Sequence, residues 1–391
     1  MSDQTVDNIY INCSINNPGD GNVLERKPAR FNVTYEQPII DDATDYYMSV
    51  IKFEIPLQGL PLFIFPIKPN QGNPNMSPLS VGVCENTDPT VPTTLPLTPG
   101  NDSPVTWVQQ QQGITAPIQN QSYQVVTPYY YCYSYSHFVW LINRALNTAW
   151  GLAGSPGGAG KFPYFEYDTN TKLINLIMPY EFVNAASGTG FGWTVYFNDF
   201  ASYYFQAFDY NLNYTRFEIA THSLATNNSY IAGPPYPQAI TTTAGPPDLI
   251  EPVRGPGLTY IIKSEYPAND YINSVRKIVF TTNQLPVVKE YFPSPGQSQS
   301  SDVSYLGVLT DFNLDINNVA GSQRSIALYD ANIYKMIDLI NPTPIRSIDL
   351  QIYWADGANN LYPLEIGNLD TVNIKLAFFS KKAYRANGSK K

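Results

Sequence analysis

Apolar and polar residues alternate with a period of two along much of this chain, the spacing of strands with one buried face. In 346–356 (RSIDLQIYWAD), Ile348, Leu350, Ile352 and Trp354 take one face, and Asp349, Gln351 and Tyr353 take the other. In 371–380 (TVNIKLAFFS), Val372, Ile374, Leu376 and Phe378 share a face. The same rhythm predicts strands at 29–35, 46–55, 60–67, 164–168, 172–178, 193–197, 214–219, 258–263, 274–281 and 306–316. Turn clusters such as 168–170 (DTN) and 356–359 (DGAN) read as hairpin loops. One segment has helical spacing instead. From 137 to 150, Phe138, Leu141, Ile142, Ala145, Leu146 and Ala149 fall on one stripe, with Ser136 as N-cap and Gly151 closing the C-terminus. A shorter second helix is read at 198–208, and long loops at 68–122, 223–257 and 293–302.

Composition sharpens the class. Charged residues make up 14% of the 391, against a usual quarter or so, whereas aromatics also reach 14%, with 30 Tyr and 19 Phe. That balance opposes disorder and coiled coils. With 33 Pro and 25 Gly the chain turns often, as a protein of many short strands does. No apolar run reaches membrane-spanning length, and the start (MSDQTVDNIYIN) reads as no secretory signal. A net charge of −9 argues against a generic nucleic-acid surface. Cys13, Cys84 and Cys132 have neither disulfide nor zinc spacing, which points to synthesis in a reducing compartment.

An internal match shapes the domain reading. Residues 45–61 (DYYMSVIKFEIPLQGLP) and 270–286 (DYINSVRKIVFTTNQLP) align at an offset of 225, with seven identities in seventeen, where chance gives about one. Two tandem β-sandwiches are the reading this favours: a first at 1–222, carrying the loop 68–122 and the helix, a Pro-rich connection at 223–257, a second at 258–380, and a basic tail at 381–391.

These segments resemble a family. The strand around IKFEIPLQGLP, the helix YSHFVWLINRALNTA followed by PYFEYDTNTKLINLIMP, and the C-terminal YKMIDLINPTPIRSIDLQIYWADGANNLYPLEI with VNIKLAFF are similar to jelly-roll capsid proteins of polinton-like viruses, adintoviruses and virophages. The resemblance implies an all-β double jelly roll, a major capsid protein in homotrimeric, pseudo-hexagonal capsomers of an icosahedral DNA virus. The alternative it implies is a single elaborated jelly roll, a penton or minor vertex protein in homopentamers. Either places the chain in the virion, after synthesis in the host cytosol, among neighbouring capsid proteins.

Chemistry is sparse. The run 154–161 (GSPGGAGK) fails the phosphate-loop pattern, with Ser155 and Phe162 where Gly and Ser or Thr belong. His137 and His222 have no triad pattern around them and read as surface or capping residues. Asp41, Asp42 and Asp45 read as a solvated turn rather than a cation loop. Glu54 or Glu166 would suit one half of a glycosidase pair, with no partner identifiable. Tyr129, Tyr130, Tyr131, Tyr133 and Tyr135 suit a sandwich core or a subunit interface better than a glycan strip. No catalytic residue, metal site or cofactor is assigned. Lys381, Lys382, Arg385, Lys390 and Lys391 are candidates for contact with the genome, a minor capsid protein or another acidic partner. A structural protein follows, with a carbohydrate-binding host-attachment sandwich as the rival from another class.

Overall fold

The computed structural model describes residues 8–18, 26–56, 60–68, 73–85, 101–109, 116, 128–154, 162–179, 193–213, 216–219, 230–231, 259–267, 275–293, 303–313, 326–330, 335–357, 359–367 and 370–383. They fall into two compact units, one formed by Met1–Pro61 with Ser274–Lys391 and the other by Leu62–Asn273.

Among the described residues, the first unit is built on eight main strands. In chain order these are Asn8–Asn16, Arg30–Thr34, Tyr46–Pro56, Lys277–Thr282, Val303–Asn313, Ile326–Asp330, Ser347–Ala355 and Thr371–Ser380. One sheet runs first, eighth, third, sixth; the other runs second, seventh, fourth, fifth. All neighbours are antiparallel. This is the strand order of a jelly roll. Alternation drives it: Ile348, Leu350, Ile352 and Trp354 are all buried on the predicted face. The strand Tyr46–Pro56 changes phase midway, burying Met48 and Val50, then Phe53 and Ile55. The cause is a β-bulge, because Leu376 pairs with Val50 while Lys375 pairs with Lys52, leaving Ile51 over. Phe53 joins the two sheets, its ring 5.2 Å from Phe280 and 4.9 Å from Phe312. Asp349, buried on the opposite face of its strand, accepts from the Asn283 and Gln284 amides at 2.8 and 2.9 Å and from the Thr282 hydroxyl. It thereby fixes the turn that follows Lys277–Thr282.

The second unit lies, in sequence, between the third and fourth strands of that roll. One sheet orders Tyr210–Asn213, Arg216–Ile219, Trp193–Phe197, Met76–Glu85 and Asp102–Thr106; another orders Tyr230–Ile231, Thr259–Lys263, Ile174–Pro179 and Tyr164–Tyr167. The helix Tyr135–Leu152 supplies the remaining core, and the Ser134 hydroxyl caps it by accepting from the His137 amide at 3.1 Å. The cap is Ser134 rather than Ser136. Asn143, buried on this helix, makes both amide hydrogen bonds to the Phe165 backbone, at 2.8 and 2.7 Å, and so pins the helix to a strand. Aromatic rings fill the space between, with Phe197 stacked on Phe205 at 4.3 Å.

Two expectations change here. The division near 223–257 is not the observed one: the strand Thr259–Lys263 belongs to the unit of Leu62–Asn273, while Ser274–Lys391 and the first strands of the chain share the other. The described parts of 45–61 and 270–286 lie in that same unit, on its opposite sheets, so their likeness does not mark equivalent places in two sandwiches. Half-buried strands that end in tight turns select similar residues, and this suffices for the match. The stretch 68–122, read as a loop, also contains the strands Met76–Glu85 and Asp102–Thr106. The Pro-rich stretch 223–257 falls outside the described residues, save for Tyr230–Ile231.

Candidate functional site

The basic tail is only partly described, and its first residue is not free. Lys381 Nζ donates to the Thr44 carbonyl at 2.6 Å, pairs with the Asp338 carboxylate and sits 5.0 Å from the centre of the Tyr47 ring. It secures the end of the last strand, whereas Lys382 is exposed. Arg385, Lys390 and Lys391 lie outside the described residues.

His137 is neither a surface nor a mere capping residue. Its side chain is buried in the second unit, Nε2 lies 2.7 Å from the Val108 carbonyl, and Nδ1 faces Cys132 Sγ at 3.7 Å. The Val108 contact makes Nε2 the protonated nitrogen of a neutral ring. Burial pushes its pKa down from 6.5 to about 4, only partly offset by that carbonyl. Cys132 is fully buried, so the pair is sealed against a substrate and acts as packing. His222 lies outside the described residues.

The other candidates are equally structural. Asp42 caps the short 3-10 helix Ala43–Asp45 by accepting from the Thr44 amide at 2.9 Å and hydroxyl at 2.6 Å. Those bonds hold its carboxyl below the usual range. Among the described residues no three His, Cys, Asp or Glu side chains gather as a metal site. Glu54 belongs to the first unit and Glu166 to the second. Tyr129, Tyr130, Tyr131 and Tyr135 are buried, so most of the tyrosine run fills the core of the second unit. Cys13, Cys84 and Cys132 are all buried.

What the alternation pattern did not reveal is a pocket of about 250 Å³ in the second unit, lined by Pro66, Pro78, Leu79, Asp199, Phe200, Tyr203 and Tyr204. The local sequence builds it. Asn198 caps the short helix Asp199–Ser202 by accepting from the Ala201 amide at 3.0 Å. Its side chain also accepts from the Ser80 amide at 3.0 Å and donates to the Pro78 carbonyl at 2.8 Å, tying both rims together. Phe200 and Tyr203, one turn apart, are 61% and 59% exposed. The available signal was the run NDFASYYF, where a capping Asn precedes four aromatics that cannot all face one core.

With a sealed Cys–His pair, dispersed carboxylates and a jelly-roll frame, the geometry is that of a building block. A family model described as Sputnik minor capsid protein V18/19 matches residues 9–380. Structural protein V19 of Sputnik virophage is 27% identical over 221 residues, covering 56% of this chain and 94% of that protein. Protein V18 of the same virophage, described as uncharacterized, is 33% identical over 171 residues, covering 41% of this chain and 93% of its own length. A chain of the Sputnik virophage cryo-EM structure superposes with a TM-score of 0.67 at 26% identity, covering 97% of this chain and 99% of that one. The crystal structure of the mavirus penton protein shares the fold, with a TM-score of 0.58 at 18% identity over 95% and 99% of the two chains. This chain therefore belongs to the Sputnik minor capsid protein V18/19 family and is a capsid structural protein rather than an enzyme.

Proposed function

We propose that this protein is a minor capsid protein of a virophage-type icosahedral particle, a penton that occupies the vertices as a closed cyclic pentamer. The observation that carries this is the first unit: one jelly roll of eight main strands, interrupted in sequence by a second unit of different strand order. A major capsid protein in trimers was the first expectation, and it rested on a duplication that the strand order does not support. The match over residues 9–380 is to a minor capsid family, and the penton likeness spans nearly the whole chain; both favour the vertex.

A ring needs one heterologous contact repeated by a rotation that closes. The net charge of −9 per subunit opposes this only weakly at physiological salt, where screening acts within about 8 Å. Burial of roughly 1,000 Å² or more at each contact outweighs it. Lys382, Arg385, Lys390 and Lys391 are the part of the tail left for the genome or an acidic capsid neighbour, since Lys381 is engaged within its own unit. The test is the mass of the purified full chain by light scattering after size exclusion. Five subunits of 43.7 kDa are expected; a trimer would restore the major-capsid reading, and a stable monomer would remove both.

A further inference from the structure

We propose that the pocket bounded by Asp199, Phe200, Tyr203 and Tyr204 is a saccharide site that holds one neutral pyranose ring. The site is independent of which capsid position the protein fills.

The pocket is preformed. Tyr204 lines it and packs against Phe63 and Phe138, with ring centres 5.5 and 5.4 Å away. Tyr203 stands at 89° to Tyr204, centres 5.4 Å apart, so the two rings form a right-angled corner. Asn198 bonds both the helix and the Pro78–Ser80 rim, so neither wall has to be ordered on binding.

The chemistry selects the occupant. Aromatic faces are electron-rich and attract the polarised C–H groups on the flat side of a sugar. A carboxylate accepts two hydroxyl hydrogen bonds from the sugar's edge, and Asp199 is exposed at the rim to do so. Asp199 is also the one charged side chain in the pocket lining among the described residues. Acidic sugars are repelled there, with no lysine or arginine in the lining to receive them. The volume of about 250 Å³ suits a single ring and its substituents. A subunit contact is a poorer match, because stable protein interfaces need upwards of about 1,000 Å² and exclude charge from their centres.

The experiment titrates the full chain with methyl mannoside, methyl galactoside, N-acetylglucosamine and sialyllactose, followed by saturation-transfer NMR. At least one neutral sugar should bind below roughly 10 mM, with no transfer to the sialic acid ring. Tyr203→Ala should weaken binding about tenfold. Asp199→Asn, which leaves the Asn198 cap in place, should do the same with Tm and assembly mass unchanged, so the proposal stays testable if Tyr203→Ala fails to fold. No neutral sugar bound, or binding unchanged in Asp199→Asn, overturns the proposal. So does a change of assembly mass in Phe200→Ser, since that outcome makes the patch a subunit contact.

Discussion

In the jelly-roll unit two sheets close on each other, and the core is largely aliphatic, with Ile348, Leu350, Val372, Ile374 and Leu376 buried around a few rings such as Phe53 and Phe280. In the unit of Leu62–Asn273 a helix of 18 residues adds its own stripe, and the core is crowded with Phe63, Phe65, Phe138, Phe162, Phe165, Phe197 and Phe205. His137 belongs to that second unit. The difference teaches where shape is standardised and where it varies. Paired flat sheets need side chains of similar height at each layer, which favours aliphatic residues. A helix laid against a sheet leaves uneven gaps, and large rings fill them while leaving some aromatics at the surface. The jelly-roll unit is a frame; the second unit carries the built pocket and the buried imidazole.

The largest expected effect attacks the aromatic core. Phe205 is 1% exposed and has ring neighbours at 4.3 Å (Phe197) and 4.8 Å (Phe165). Phe205→Ala should cost about 3–5 kcal/mol in urea unfolding. Hydrogen exchange should accelerate in Trp193–Phe197 and Tyr164–Tyr167 while Ser347–Ala355 and Thr371–Ser380 stay protected. Equal loss in both units would erase the distinction between them.

Next is the acid sensitivity that His137 lends the second unit. The imidazole of His137 titrates near 4 when folded and near 6.5 when unfolded. Above about pH 6.5 it is neutral in both states and has no effect. As pH falls from there towards 4, the unfolded chain takes up the proton first and stability drops, by about 3 kcal/mol at the lower limit. Denaturant titrations at pH 7 and pH 4.5 should show a smaller acid loss in His137→Gln than in the wild type. An equal loss would mean that His137 does not carry it.

The smallest effect belongs to the jelly-roll unit. Lys381→Met breaks the pairing to Asp338 and Thr44 and should cost about 1 kcal/mol, because Asp338 is well exposed and its share is screened. Lys382→Met should be silent in the same thermal melt, because Lys382 is exposed. A similar cost for both would return Lys381 to the tail.

Much of the fold was legible along the chain. The strands 193–197 and 371–380 and the helix near 137–150 were readable because a single buried face imposes its period on the residues. The strand Met76–Glu85 was not readable, since Pro78 and Gly82 interrupt it. Pro78 sits where the register to Asp102–Thr106 shifts, and Gly82 leaves the space taken by the Tyr196 ring, 2.3 Å from where a Cβ would stand. Pro104 is tolerated because its strand is the sheet edge.

The sequence by itself determined an all-β chain with one substantial helix, a sparse charge count and no catalytic spacing, because these follow from composition and local period. Only the tertiary structure decided that the first and last segments close one roll, with another unit between them in sequence, that His137 is buried, and that Lys381 is bonded. It also decided that Tyr203 and Tyr204 meet at a corner. Each of these depends on partners far apart in the chain, and a periodic pattern states which face is buried without stating against what.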